Sequence, residues 1–195
     1  MIDNFEQINK LLTFESSDDF YFLQIIQRRK DIPDLIENNI CLMTYYISNK
    51  DSFKRIFENE IIPICKIFNA RAYINLNKRS FEKVSFKALI EFSQHIYDKN
   101  FIDSKNIFNS ICGKYHNDPI KKWIIDLDEK VDSSIIESYW KFIENLQPIG
   151  SKKIATIPTK NGVHLICTPF DLQTFKRDFP SIDVHKNNPT LLFTY

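Results

Sequence analysis

Chemistry in this chain concentrates in one run, Lys121-Lys122-Trp123-Ile124-Ile125-Asp126-Leu127-Asp128-Glu129. Apolar residues lead straight into an Asp-x-Asp pair, the pattern of a buried strand whose end surfaces into solvent. Side chains alternate along a strand, so Asp126 and Asp128 share one face while Ile125 and Leu127 share the other. Two carboxylates on one face repel each other, and a divalent cation resolves that repulsion. Hard, oxygen-seeking ions such as Mg2+ or Mn2+ suit the spacing, held by carboxylates together with substrate phosphates. The plainer reading is a solvated strand end, with Asp128 or Asp132 capping the helix that follows.

A second segment carries the complementary charge. Thr159-Lys160-Asn161-Gly162-Val163-His164 offers a hydroxyl, an ammonium, backbone N–H groups and an imidazole. Those are the donors a polyphosphate needs, with a metal on the carboxylates bridging the same phosphates. Taken alone, His164 also reads as a half-buried strand histidine satisfied by a neighbour. The chain has only three glycines, at 113, 150 and 162, and one of them stands beside this histidine. Glycine there frees the backbone for a turn or for close approach to a ligand.

Arg71 to Arg79 is the third informative stretch. As a continuous strand it places Arg71, Tyr73, Asn75, Asn77 and Arg79 on one face, with no carboxylate among them. Guanidinium forks suit phosphate oxygens, and amides and aromatic rings suit bases. An ordinary solvated strand face is the alternative. The basic group Arg28-Arg29-Lys30 could add to the same surface.

These residues need a scaffold, and the sequence outlines one. Phe5, Ile8, Leu11 and Leu12 have helical spacing, and Ser16-Ser17-Asp18-Asp19 breaks the pattern. Phe20 to Ile26 and Ile40 to Ile47 read as strands, and Ser48 to Ser52 starts a helix. That helix runs over 52–68, with a break or bend near Pro63. Residues 81–97 form an amphipathic helix on Phe81, Val84, Leu89, Phe92 and Ile96. From Tyr97 to Pro119 periodicity weakens, which suggests a lobe boundary.

Beyond it come a strand at Lys122–Asp128 and a helix opened by a capping box at Ser134-Ile135-Ile136-Glu137. Strands at Lys152–Pro158 and Val163–Cys167 flank an Asn161-Gly162 turn. A helix begins at Pro169-Phe170-Asp171, and Ile182–Phe193 supplies one or two last strands. The expected fold class is therefore α+β: an N-terminal αβ lobe over 1–115 and a ferredoxin-like or RRM-like β-α-β-β-α-β lobe over 116–195, forming one compact unit.

Composition narrows the possibilities. A hydrophobic share of 43% excludes a disordered chain. A net charge of +1 excludes a global basic field, so a nucleic-acid partner must be met by a local patch. Cys41, Cys65, Cys112 and Cys167 are widely spaced, and reduced, buried thiols are expected rather than a disulfide framework. Cys112-x3-His116 has half of a zinc spacing without a second half. With no leader pattern and no membrane-length apolar run, a soluble cytoplasmic protein is expected.

Taken together, the motifs resemble the catalytic core of the archaeo-eukaryotic primase superfamily, which includes primases and primase-polymerases. Ile124-Ile125-Asp126-Leu127-Asp128 matches the first motif, Gly162-Val163-His164-Leu165-Ile166 the second, and Ser181-Ile182-Asp183-Val184 the third. The motifs span roughly residues 120–195. Thr159 departs from the family's serine before Gly-x-His, and Asp183 lies close to the C-terminus. The resemblance implies that Asp126, Asp128 and Asp183 hold Mg2+ or Mn2+, and that His164, with Gly162, Lys160 and Thr159, contacts the incoming nucleotide's phosphates. It implies template-directed nucleotidyl transfer from an NTP or dNTP on single-stranded or primed DNA, in the company of replication proteins. Arg71, Asn75, Asn77, Arg79, Arg28 and Arg29 would then hold the nucleic acid. A non-catalytic nucleic-acid or protein binding module, or a metal-dependent nucleotide hydrolase, would use the same fold differently.

Overall fold

The computed structural model describes residues 1–31, 39–128 and 131–195; Glu129, the last residue of the acidic stretch, lies outside that set. The chain folds as α+β in two lobes, each built on its own antiparallel sheet.

In the first lobe, β1 (Ile2–Asp3) and α1 (Phe5–Leu11) precede the long hairpin-like pair β2 (Asp19–Gln27) and β3 (Ile40–Ile47). Next comes α2 (Lys50–Ile56), where the Asn49 side chain caps the helix by accepting from the Ser52 N–H. A wide π turn over Phe57–Ile61 separates α2 from α3 (Ile62–Ile67). Pro63 accounts for it: its ring crowds the carbonyl four residues earlier and it has no N–H to donate, so the turn widens just before it.

The strand expected over Arg71–Arg79 is interrupted. It forms β4 (Arg71–Asn75) and β5 (Arg79–Ser80), which pair with different parts of β2. Two helices follow, α4 (Phe81–Tyr97) and α5 (Ile107–Lys114). Ser80 caps α4 by accepting from the Lys83 N–H. Leu89, Phe92 and Ile96 do not form the buried stripe expected of α4. They are exposed, and Val84 instead packs with Phe20, Phe22 and Ile111.

The second lobe runs β6 (Trp123–Leu127), α6 (Ser133–Glu144), β7 (Lys153–Pro158), β8 (Val163–Cys167), α7 (Leu172–Asp178) and β9 (Asp183–His185). Its sheet order is β7-β8-β6-β9, so β6 and β8 are central and the connectivity is ferredoxin-like. The cap of α6 is Asp132, which accepts from the Ser134 and Ile135 N–H groups. Ser134 is therefore inside the helix rather than at its cap, and Glu137 reaches Lys153 instead of the helix start.

One boundary differs from expectation. The last strand, β10 (Pro189–Thr194), leaves the second lobe and inserts between β1 and β4 of the first sheet. Its run Leu191-Leu192-Phe193 is buried throughout, and a bulge lets consecutive apolar side chains serve both faces. The 116–195 lobe thus ends near His185, and the chain's final strand ties the two lobes together.

Packing follows the alternation of the β6–β8 pair. Ile125, Leu127, Leu165 and Cys167 face α6 and α7, where Trp140, Ile143 and Phe175 bury them. Ile124 and Ile166 face the other way, and with Ile157 they join a core that includes Leu192 and Phe193 of the first sheet. Asp126 and His164 occupy that same inner face, toward the first sheet. Among the described residues no helix is long and apolar enough to cross a membrane.

Candidate active site

Asp126 sits mid-row in the second sheet, with His164 of β8 as its direct partner on one side and Asp183 of β9 on the other. Residues directly opposed across antiparallel strands point to the same face. Three residues far apart in sequence therefore project from one row of one surface. His185 is two positions further on β9, opposite Ile124, on the same face.

His164 is held at both ring nitrogens. Its Nε2 lies 3.3 Å from Asp126 Oδ1 and its Nδ1 lies 2.8 Å from the Thr190 hydroxyl of β10. A neutral ring satisfies both contacts by donating from Nε2 to the carboxylate and accepting at Nδ1 from Thr190. The hydrogen bond from His164 holds the Asp126 carboxyl below the usual carboxylate range, against the opposing effect of partial burial; His185 and Lys30 act in the same direction as His164.

Beside this pair opens a cleft between the lobes. Arg28, Lys30, Arg71 and Lys160 supply four cations to its wall, and Asp126, Asp128 and His164 complete the chemistry. Tyr73, Thr159, Asn161 and Leu191 fill the rest of the lining. Asp126 and Asp128 also border a second, more acidic cleft of about 380 Å³ together with Asp178, Ser181 and Asp183. The Asp-x-Asp pair is thus the ridge between a cationic recess and an anionic one.

The hairpin loop is shaped by its own hydrogen bonds. Thr159 N donates to the Gly162 carbonyl at 2.9 Å, and Gly162 N donates to the Thr159 hydroxyl at 3.0 Å. That closed turn presents the Lys160 ammonium to the cleft, where it lies 2.9 Å from Asp31 Oδ1. The Thr159 hydroxyl has a structural use in this turn, and Gly162 shapes the turn without lining the cleft.

Asp31 is a cleft-side residue that the sequence reading missed. Its Oδ1 accepts from Arg71 Nη2 at 2.6 Å and from Lys160 at 2.9 Å. Burial raises its pKa, but the hydrogen bonds from Arg71 and Lys160 outweigh this and hold the carboxyl below its usual range. Thr190 is also absent from the expected site, whereas Lys30 belongs to the basic group and Tyr73 to the Arg71–Arg79 face that the sequence singles out. The adjacency of Asp31 to the basic group was the one available signal for it; nothing in the local sequence around Thr190 predicts its return to His164.

The expected nucleic-acid face is corrected. Asn75, Asn77 and Arg79 are buried, Arg79 completely. Arg79 Nε donates to the Cys112 carbonyl at 2.6 Å and a second nitrogen donates to the Asn77 carbonyl. Burial pushes the Arg79 guanidinium down to about 10. Asn77 behaves as a surrogate strand partner: it accepts from Lys122 N at 2.7 Å and donates to the Lys122 carbonyl at 2.9 Å. It also donates to the Lys186 carbonyl at 3.2 Å, while Asn75 donates to the Asn187 carbonyl at 2.7 Å. These amides fasten the entry of β6 and the exit of β9 to the first lobe, so they position the Asp126–Asp183 row and present no surface to a nucleic acid. Arg71 is likewise buried but lines the cleft; Arg28 lines it and contacts the Tyr73 hydroxyl at 3.3 Å; Arg29 does not line it.

The donor set suits a divalent ion only in part. Asp126, Asp128 and Asp183 have the hard oxygen chemistry that Mg2+ or Mn2+ requires. Asp126 and Asp128 share both clefts, whereas the Asp183 carboxylate is largely exposed and pairs with Lys176 at 3.6 Å. Among the described residues no three His, Cys, Asp or Glu side chains are gathered tightly enough to hold an ion. The residues therefore fit a site of two carboxylates, completed by ligand phosphates, better than a ready three-carboxylate cage.

The fold and site stand without a matching relative: no protein-family model matches the chain, and comparisons with curated proteins and with solved structures return no match.

Proposed function

We propose that the chain binds a nucleoside triphosphate in the cationic cleft and carries out metal-dependent, template-directed nucleotidyl transfer of the primase or primase-polymerase kind. The observation that carries this reading is the single sheet row His164–Asp126–Asp183, whose His164–Asp126 end opens onto a recess with four cations. Carboxylates next to phosphate-binding cations are what transfer of a nucleotidyl group requires.

Lys160, Arg28 and Lys30 would bind the triphosphate oxygens and meet the charge that grows on the leaving pyrophosphate, and His164 would join them once its Nε2 exchanges Asp126 for a phosphate oxygen. Asp126 and Asp128 would hold Mg2+ or Mn2+, with Asp183 joining after release from Lys176. When bound, such an ion supplies charge neutralisation at the phosphates. A 3′-hydroxyl oxygen attacks the α-phosphorus and the bond to the β-phosphate oxygen breaks. The exposed Asp128 carboxylate is a nearby acceptor for the hydroxyl's proton. Single-stranded or primed DNA would be the template, with replication proteins as partners, and the cytoplasm is the compartment that fits this use.

Incubation with labelled NTPs or dNTPs, a primed single-stranded template and Mn2+ or Mg2+ tests the proposal. Extended primer is expected, and Asp126→Ala should abolish it while leaving the fold intact. Extension undiminished in that variant would remove these carboxylates from the mechanism.

A second reading draws on the Asp183–Lys176 pair and the lack of a gathered three-ligand site among the described residues. On that reading the chain is a non-catalytic module that binds nucleotide or nucleic acid. Binding without turnover in the same assay supports it, and free nucleoside phosphates without extension support a hydrolase.

A further inference from the structure

Beyond Asp126 and Asp128, a further carboxylate pairs with two cations of the cleft wall. Asp31, at the end of a short 3-10 helix over Arg29–Asp31, places Oδ1 between Arg71 Nη2 and Lys160 Nζ. Among the described residues the fit is incomplete on both sides: Asp31 Oδ2 is buried without a hydrogen-bond partner, and so is Nε of Arg71. Arg71 is itself more than nine-tenths buried and lines the cleft, so its unused donor is shielded from bulk solvent.

A planar guanidinium is best satisfied by two oxygens set for a fork-to-fork match. Asp31 supplies only one oxygen and asks that oxygen to serve the lysine as well. A terminal phosphate has three oxygens on one tetrahedral centre. It can take Nη2 and Nε of Arg71 together and still accept from Lys160, which the carboxylate does not do here. Arg28 and Lys30, on the same wall, add charge that favours a dianionic group over a single carboxylate.

Resting on the reading of this cleft as a phosphate site, we propose that Asp31 is a built-in competitor: its carboxylate occupies the Arg71–Lys160 cradle in the free protein, and a polyphosphate must displace it to bind. The displaced carboxylate then stands close to bound anionic oxygen and repels it. Affinity for the free ligand is therefore set lower than the cations alone would give, and release after turnover is eased.

The test uses inorganic tripolyphosphate and the full chain, without metal, template or primer, so it does not depend on nucleotidyl transfer. Calorimetric titration should show Asp31→Asn binding about tenfold tighter than the parent, since the cradle keeps its cations and loses its resident charge. Arg71→Gln should weaken binding in both backgrounds. Equal or weaker binding by a folded Asp31→Asn, or no binding by either protein, overturns the proposal. Should Asp31→Asn fail to fold, the parent still decides the matter. The Asp31 side-chain carboxyl carbon should shift in 13C NMR on saturation with tripolyphosphate, and an unmoved resonance under saturating ligand overturns it. Primer extension that fails while Asp31→Asn binds more tightly would sink the proposed activity and leave this inference standing. Extension that succeeds with no effect of Asp31→Asn on binding would do the reverse.

Discussion

The Asp126 carboxylate and the His164 ring are cross-strand partners 3.3 Å apart, and the far side of the ring is pinned by the Thr190 hydroxyl. A strand from the far end of the chain thus fixes the orientation of a histidine that in turn fixes the ionisation of a carboxylate. The hydrogen bond from His164 depresses the folded-state pKa of Asp126 below the ordinary unfolded value of about 3.9.

A pH dependence with a definite sign follows. A carboxyl whose folded pKa is depressed stabilises the fold fully above its unfolded pKa and ceases to do so as pH falls through the folded one. Urea midpoints for the parent and Asp126→Asn should therefore differ most above about pH 4 and converge below it. In a 13C titration the Asp126 carboxyl should have a midpoint below the usual carboxylate range, and His164→Phe should move it upward. A midpoint unaffected by the loss of the imidazole would show that the cross-strand contact does not set this ionisation.

Asn77 offers a test of how the row is positioned. Its buried side chain makes the two bonds that a neighbouring strand would otherwise make to the partly buried backbone of Lys122. Asn77→Ala leaves the Lys122 N–H and two carbonyls without that partner. The expected loss is about 3 kcal/mol in equilibrium denaturation, because buried groups left unpaired keep their full desolvation cost. A loss under about 0.5 kcal/mol, the range of ordinary surface substitutions, would mean that the fastening is replaceable.

Thiol chemistry separates the four cysteines. Cys65, Cys112 and Cys167 are buried, and burial pushes each thiol up to about 12; Cys41 is exposed on β3. The expectation of uniformly buried thiols thus holds for three of the four. Since the thiolate is the reacting species, brief iodoacetamide treatment of the native protein at neutral pH should add one label, at Cys41, by peptide mass spectrometry. Comparable labelling of Cys112 would place the α5 packing in error.

Much of the second lobe was legible because its signals are local. Alternating apolar residues, an Asn-Gly turn and the acidic cap at Asp171 delimit β8, the hairpin and α7 almost to the residue. Convergence of Asp126, His164 and Asp183 followed from the order of elements, since the ferredoxin-like connectivity alone places β6 between β8 and β9. What local pattern could not supply was the destination of polar residues. Alternation put Asn75, Asn77 and Arg79 on a common face but was silent about whether solvent or another backbone would meet it. The return of β10 to the first sheet and the use of Asp31 against Arg71 are long-range events of the same kind. They depend on which surfaces remain unpaired once the local elements have formed.

That distinction between buried and available cations yields a prediction about nucleic-acid binding. Lys160 is about half exposed and Arg28 lines the cleft, whereas Arg79 has no exposed surface at all. A cation that neutralises a phosphate releases a counterion, and each such contact adds roughly one to the slope of log affinity against log salt. Fluorescence anisotropy with labelled single-stranded DNA over a series of salt concentrations should therefore show shallower slopes, by about 0.7 each, for Lys160→Gln and Arg28→Gln. Arg79→Met should keep the parent's slope, since its guanidinium is spent on the Cys112 and Asn77 carbonyls, even if the fold loses some stability. A reduced slope in folded Arg79→Met, with none in the other two, would return the nucleic-acid surface to the β5 region and away from the cleft.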